Sequence, residues 1–173
     1  QSILAIDGHY SIVLSPFEAR FLSITQPSEK GPIAAILATG NEVGQGFMAQ
    51  CDNPTIKAEG PISSPLYVVG NFADSGWKHV DQREFEYKGD NTYQVVTTEK
   101  PGSYRMQYAS KAWSPQFTAD GLNLKLGQLN SLIKGGYGQD TAITIRNAGQ
   151  YVWSLQFDDA GQPLQIMASK CAE

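Results

Sequence analysis

The sequence has few charged residues and few side chains that could bind a metal. Charged residues make up 17% of its 173 positions, and its formal net charge is −4. A mildly acidic chain without a basic patch is poorly suited to nucleic acids, whose phosphates attract basic side chains. Its two cysteines and two histidines are scattered along the chain, whereas a Cys/His zinc site needs four clustered ligands. We therefore expect no nucleic-acid partner, no metal and no cofactor.

Long apolar runs are also missing. The sequence has no run of about 18 apolar residues, so it predicts no membrane-spanning helix and no membrane partner. No basic stretch followed by an apolar segment opens the chain, so no signal peptide is visible. With a mass of 18.8 kDa and 41% hydrophobic residues, the chain has the composition of one globular domain with a small additional segment.

The ionisable residues do not form a pattern typical of an active site. Asp158 and Asp159 are adjacent and open a D-D-A-G-Q-P turn, which Asx-turn hydrogen bonding explains. His9 and His79 have no serine elbow or catalytic cysteine nearby. The G-x-G run at residues 44–46 is not followed by a predicted helix, so it lacks the context of a phosphate-binding loop. The sequence predicts no catalytic residues and no enzyme activity, although a small enzyme with an unrecognised site is an alternative.

Aromatic and turn-forming residues are abundant. The chain contains 3 Trp, 8 Tyr and 7 Phe residues, together with 17 Gly and 9 Pro. Short alternating apolar segments separated by turns are typical of an all-β, antiparallel immunoglobulin-like sandwich. The clearest segments cover residues 66–69, 83–87, 92–97, 103–108, 122–126, 141–146, 151–157 and 164–167. One short helix is expected around residues 128–134. The two glycines directly after it would end it.

The first third of the chain is organised differently. Strands are expected over residues 2–6, 9–14 and 17–24. A polar, proline-containing stretch follows, and one more apolar strand is expected over residues 33–38. We therefore predict a few extra N-terminal strands, a linker with one strand, and the sandwich itself, at residues 1–28, 29–64 and 65–173.

The two cysteines, Cys51 and Cys171, are expected to form a disulfide. Their pairing would close a loop of about 120 residues, which the loop-entropy model values at about 4–5 kcal/mol. Two reduced thiols are the alternative, but a cysteine close to an exposed terminus is poorly placed for a buried thiol. A disulfide implies an oxidising compartment, so we expect a secreted, periplasmic or cell-surface location. The missing signal peptide is then explained if the chain is part of a longer protein.

The three tryptophans fall into two groups. Trp153 belongs to a strictly alternating strand and is expected in the core. Trp77 and Trp113 each follow a predicted strand and lie among polar turn residues. There an exposed indole could stack on the apolar face of a sugar ring, with Gln107 and Lys111 binding the hydroxyl groups. Packing of both indoles against the edge of the sandwich is the alternative.

Three motifs in order resemble the starch- and glycogen-binding modules attached to bacterial pullulanases and amylases. Residues 65–72 (P-L-Y-V-V-G-N-F) and then Gly76-Trp77 resemble their opening strand and G-(N/S)-F-x-x-W pattern. Residues 87–93 (Y-K-G-D-N-T-Y) look like their Y-x-G-x-x-x-Y hairpin, and residues 101–114 (P-G-S-Y-R-M-Q-Y-A-S-K-A-W-S) look like their G-x-Y-x-F-K-I-A-x-x-x-W-S stretch. The resemblance covers about residues 65–118.

This resemblance implies a role for the two loop tryptophans. In such modules they commonly form the glucan platform, which corresponds to Trp77 and Trp113 here. The frequent lysine of the family corresponds to Gln107, so one expected ammonium contact is lost, and Arg105 or Lys111 is a candidate to replace it.

A second resemblance concerns the start of the chain. Residues 8–22 (G-H-Y-S-I-V-L-S-P-F-E-A-R-F-L) look like the closing strands of the β domain that follows an α-amylase-family barrel. This similarity implies that residues 1–28 are the tail of such a domain. The catalytic residues would then lie in the barrel, outside this chain.

Together these features favour a non-catalytic α-glucan-binding module of a secreted bacterial glycoside hydrolase. Its expected partners are an α-glucan polysaccharide or oligosaccharide and the catalytic domain of the parent enzyme. The alternative is a structural or protein-docking immunoglobulin-like module. In that case the surface around Trp77 and Trp113 would be an apolar protein contact.

Overall fold

The computed structural model describes residues 4–6, 9–11 and 43–172. The chain divides into two compact units, Gln1–Gly40 and Asn41–Glu173. In the first unit, β1 (Leu4–Ile6) and β2 (His9–Ser11) form an antiparallel hairpin within two of the predicted N-terminal strands. The strands expected over 17–24 and 33–38 lie outside the described residues.

The second unit is built almost entirely from β-strands, which confirms the predicted fold class. One short helix and two 3-10 turns, at Asp81–Arg83 and Asp120–Leu122, interrupt the strands. In chain order the elements are α1 (Gln45–Ala49), β3 (Tyr67–Gly70), β4 (Glu86–Tyr87), β5 (Thr92–Glu99), β6 (Gly102–Ala109), β7 (Gln116–Ala119), β8 (Asn130–Lys134), β9 (Thr141–Ile145), β10 (Gly149–Phe157) and β11 (Pro163–Lys170).

The strands form one antiparallel sheet that curls into two halves. Its order is β3-β6-β7-β8-β11-β10-β5-β4, and β9 pairs with β6 beside this path. β8 joins the halves, because its end pairs with β7 while its start pairs with β11. The apolar core contains residues from both halves. The Phe117 ring of β7, for example, lies 4.9 Å from the Phe157 ring of β10. Trp153 is fully buried in this core, as its alternating strand predicted.

Three local predictions were wrong. Residues 122–126 were expected to form a strand, but Asp120–Leu122 form a 3-10 turn, and after it only Asn123 makes an isolated bridge, to Ala142. Residues 128–134 were expected to contain a helix, but Asn130–Lys134 form strand β8. Only Leu132 of this strand enters the core, and the ladders with β7 and β11 satisfy the backbone groups. Residues 44–46 were expected not to lead into a helix, but α1 begins at Gln45. Elements this short carry too little periodicity to identify from sequence.

The first part of the segment at residues 43–64, up to Asn53, covers the outer face of β5 and β10. Met48 of α1 is fully buried there, and its carbonyl accepts a 2.6 Å hydrogen bond from the Ser154 hydroxyl. The Gln94 amide donates to the Phe47 carbonyl at 3.1 Å, and the Asn53 amide donates to the Gln94 side-chain oxygen at 2.9 Å. Polar side chains on the sheet thus bind the backbone of the covering segment. The boundaries at residues 28 and 64 stay a prediction, and the described part of the predicted linker is folded onto the sheet.

The predicted disulfide between Cys51 and Cys171 is confirmed. Their Cα atoms are 5.8 Å apart, and 120 positions separate them in sequence. Cys51 follows α1, whereas Cys171 directly follows β11 and hydrogen-bonds to the Gln150 carbonyl at 2.9 Å. The bridge therefore fastens the covering segment to the last strand of the sheet.

Removing this bridge should destabilise the fold. We expect the Cys51→Ser/Cys171→Ser variant to lose about 4–5 kcal/mol of unfolding free energy in urea, because its unfolded chain regains the entropy of a long open loop. Limited proteolysis should then cut first within residues 43–64. Wild-type protein treated with a reductant is the matched comparison and should behave like the variant. Equal urea midpoints for the oxidised and bridge-free proteins would contradict this role.

Candidate functional site

Two loops carry the exposed tryptophans beside the first half of the sheet. Trp77 lies in the loop after β3, and Trp113 lies in the loop between β6 and β7. Their side chains are 38% and 39% exposed, respectively, although both are large and apolar. His79 connects the two loops, because it follows Trp77 in sequence and its ring lies 4.9 Å from the Trp113 ring.

Both tryptophans have a left-handed backbone. Trp77 has φ 66° and Trp113 has φ 60°, a region that bulky residues rarely adopt. Each is held by a backbone hydrogen bond. Trp77 N–H donates to the Gly70 carbonyl at the end of β3 at 2.7 Å, and Trp113 N–H donates to the Ser110 carbonyl across a turn at 2.9 Å. Such a conformation costs about 1–3 kcal/mol, and outliers of this kind are concentrated at functional sites.

Trp113 belongs to a column of aromatic rings. Its ring meets His79 edge to face, and His79 in turn meets Tyr67 edge to face at 5.5 Å. Lys111 is placed at the same column, with its ammonium 5.4 Å from the centre of the Tyr67 ring. The Tyr67 hydroxyl donates a 2.8 Å hydrogen bond to Glu84, and burial raises the pKa of Tyr67. This column packs against Trp113 through His79, and the Lys111 cation lies at its Tyr67 end.

His79 is held as a neutral ring. Burial lowers its pKa, the Lys111 charge adds to that effect, and a hydrogen bond to the Ser110 backbone opposes it. Its Nε2 atom is buried and has no hydrogen-bond partner in the described part of the chain. Protonation would therefore place a second positive charge beside Lys111 without a carboxylate bound to His79.

A buried arginine fixes the loop that carries Trp77. Arg83 is 1% exposed, and its guanidinium carbon lies 3.7 Å from the centre of the Phe72 ring. It donates to Asp74 at 2.9–3.1 Å and to Glu99 of β5 at 2.8 and 3.2 Å. Desolvation would lower the pKa of Arg83, but the hydrogen bonds to Glu99 and Asp74 outweigh it and raise that pKa.

This ion pair continues into the core. The Thr97 hydroxyl donates to Glu99 at 2.6 Å, and the Trp153 indole N–H donates to Thr97 at 2.7 Å. The loop bearing Trp77 is thus linked through Arg83 to the central tryptophan of the sandwich. Asp74 and His79 both take part in positioning this loop.

Gln107 has a different environment from the one expected of a sugar contact. It is 3% exposed, and its amide donates to the Gly136 carbonyl and the Asp140 carboxylate, both at 2.9 Å. Its side-chain oxygen accepts a hydrogen bond from Gln116. The structure therefore places Lys111 beside the Tyr67 ring, and it places Gln107 beneath the loop that follows β8.

Comparison with known proteins adds a close relative. One solved structure is described as the ligand-induced structure of AmyP-SBD. It is 60% identical to the chain with a TM-score of 0.59, and the match covers 85% of this chain and 100% of that one. SBD denotes a starch-binding domain, here that of an amylase. The chain belongs to the family of amylase starch-binding domains. No family model and no curated protein matches it.

As a starch-binding domain, the chain offers an aromatic surface rather than a reactive centre. Among residues 4–6, 9–11 and 43–172, no group of His, Cys, Asp and Glu side chains could hold a metal ion. No helix in the described part of the chain is long and apolar enough to cross a membrane. Each exposed indole has the chemistry to stack on the apolar face of a ligand.

Sequence reasoning missed the residues that position this surface. Arg83 is a charged residue in a polar stretch. Its burial depends on Phe72, in the loop after β3, and on Glu99, at the end of β5. His79 gave one usable signal, since it lies two residues after Trp77. Its contact with Trp113 depends on how two separate loops meet, which no local pattern encodes.

Removing the buried arginine should cost much of the stability of this starch-binding domain. The Arg83→Met variant should lose about 3–5 kcal/mol in urea unfolding, because Glu99 is left buried and unpaired. Adding Glu99→Gln should recover about 1–3 kcal/mol, since the uncompensated charge is then gone. If the double variant were no more stable than Arg83→Met, the charge pairing would not be the reason for the loss.

The neutral His79 predicts a pH-dependent stability. Its folded pKa lies below the unfolded value of 6.5, so the unfolded chain binds the proton more readily. Its contribution to stability is complete above pH 6.5 and is lost as the pH falls from there through the folded pKa. Unfolding free energies should be measured at about pH 8 and about pH 5. The non-titrating His79→Gln variant should show a smaller decrease, and equal decreases in both proteins would refute the role of His79.

Proposed function

We propose that this starch-binding domain is a non-catalytic α-glucan-binding module in which Trp77 and Trp113 stack on glucose units. The observation that supports this most strongly is the pair of large indoles presented at a left-handed backbone, in a chain 60% identical to the starch-binding domain of an amylase. A sugar ring has an apolar C–H face and a polar rim. Its face suits an indole plane, and its rim suits nearby hydrogen-bond donors.

The polar residues have separate roles in this proposal. Lys111 donates from its ammonium group to sugar hydroxyls, because it lies beside the column beneath Trp113. Gln107 acts indirectly, because its amide hydrogens are already bound to Gly136 and Asp140. Arg83 and His79 hold the tryptophan loops in place.

A shallow surface of this kind binds weakly. We expect dissociation constants of about 10 µM to 1 mM, equivalent to about −4 to −7 kcal/mol. Weak binding suits a module that keeps an attached enzyme close to a polymer and raises its effective concentration there.

The proposed partners are therefore an α-glucan and the catalytic domain of a parent glycoside hydrolase of the α-amylase family. The Cys51–Cys171 disulfide supports an oxidising location, so we place the protein in the secreted, periplasmic or cell-surface class of a bacterium. In this proposal, residues 1–28 are the tail of the preceding β domain, residues 29–64 connect it to the module, and residues 65–173 form the binding sandwich.

Replacing the loop tryptophans should remove binding without unfolding the domain. Trp77→Ala and Trp113→Ala should each weaken binding by more than about 1 kcal/mol, because each removes one stacking surface. Retention in affinity gels containing starch, glycogen or pullulan measures the loss, and titration with maltoheptaose quantifies it. Ile56→Ala, which alters a similarly exposed apolar side chain, is the matched control and should bind like the wild type.

Glycine variants separate binding from stability. Trp77→Gly and Trp113→Gly should lose binding like the alanine variants. Their free energies of unfolding in urea should be about 1–2 kcal/mol higher than those of the alanine variants, because glycine accepts a positive φ without strain. An unaltered mobility of the wild type in every glucan gel would refute the proposed function. A glycine variant with a much lower free energy of unfolding than its alanine counterpart would show that the backbone at that position is not strained.

A further inference from the structure

The most exposed aromatic residue of the described chain lies outside the tryptophan loops. Tyr137 is 105% exposed, so its ring meets essentially no other residue. It lies in the loop between β8 and β9, within the sequence Gly135-Gly136-Tyr137-Gly138. An aromatic ring held entirely in water forgoes its hydrophobic burial, so its full face and its hydroxyl are open to a ligand.

The backbone of this loop is fixed although the ring is free. The buried Gln107 amide binds the Gly136 carbonyl and the Asp140 carboxylate, which lie on either side of Tyr137. Gly135 allows this approach, since a Cβ there would lie 2.9 Å from the Gln107 side-chain oxygen and 3.1 Å from the Phe117 carbonyl carbon. Gly138 has φ 77°, which suits glycine.

The Tyr137 loop adjoins the Trp113 loop. Gly135 N–H donates to the Gln116 carbonyl at 2.8 Å, and Gln116 is the first residue of β7 after the Trp113 loop. The pairing of Ala109 with Gln116 and of Phe117 with Lys134 brings the end of β6, the start of β7 and the end of β8 together. The two loops therefore leave the sheet at the same edge.

We propose that Tyr137 is a third glucan-contacting residue, which extends the site beyond Trp113 along a longer glucan chain, and that Gln107 positions it. This inference rests on the proposed function of the tryptophan pair. Tyr137 offers a ring face for stacking and a hydroxyl for hydrogen bonding, and the flanking glycines, which have no side chains, leave room for a sugar beside the ring. The ordered backbone reduces the entropy lost when the loop binds.

The length of the ligand tests this role. Tyr137→Ala should weaken binding of maltoheptaose by about 3- to 10-fold in calorimetric titrations, because one stacking contact is lost. Binding of maltotriose, which the tryptophan pair accommodates alone, should remain unchanged. Tyr137→Phe should retain most of the maltoheptaose affinity. Ile56→Ala is the control for removing an exposed apolar side chain, and it should affect neither ligand.

A second variant tests the positioning role of Gln107. Gln107→Met removes the amide that binds Gly136 and Asp140 while keeping a side chain of similar length. It should weaken maltoheptaose binding but not maltotriose binding. Combined with Tyr137→Ala, it should add no further loss, because both changes act through the same contact. Additive losses in the double variant would overturn this part of the proposal.

These outcomes distinguish a failure of the proposed function from a failure of the proposed role of Tyr137. A wild-type protein that binds neither oligosaccharide would refute the proposed function itself. A wild type that binds both, with losses in the Trp77 and Trp113 variants but none in Tyr137→Ala, would overturn the role of Tyr137 alone. Equal losses for both ligands in Tyr137→Ala would also overturn it, since the residue would then support the tryptophan site rather than extend it.

Discussion

The site depends on the contacts of the buried Arg83 guanidinium. It lies on the face of Phe72 and joins Asp74, in the loop that carries Trp77, to Glu99 at the end of β5. A charge in this position is tolerated because two carboxylates and a ring replace its hydration. The same contacts prevent the loop from moving away from the sandwich, so the exposed indole is carried by a rigid support.

The two halves of the sheet use their outer faces differently. On β5 and β10, Gln94 and Ser154 point away from the core and bind the backbone of the segment at residues 43–64, which the disulfide also fastens. On β3 and β6, the outer face carries Tyr67 and Gln107, and loops border it. One outer face is thus closed by the chain itself, while the other contacts the loops that carry the exposed aromatic side chains.

Much of the fold was predictable because strand alternation is a local signal. The buried strand around Trp153 and the loop positions of Trp77 and Trp113 follow from the sequence. Strand β8 was mistaken for a helix because a few residues do not distinguish the two periods. Gln107 was expected at the sugar rim, and its three hydrogen bonds could not be foreseen because Gly136, Asp140 and Gln116 lie on other elements.

The positive φ angles of Trp77 and Trp113 also affect how relatives of this domain can diverge. In the proposed function, an indole is retained at either position because glucan stacking offsets the cost of the left-handed backbone. Once that use is lost, glycine or asparagine becomes the easier residue there, since both accept this conformation readily. The residue types at these two positions thus form a marker that could be read across many sequences to separate binding domains from those that have become purely structural.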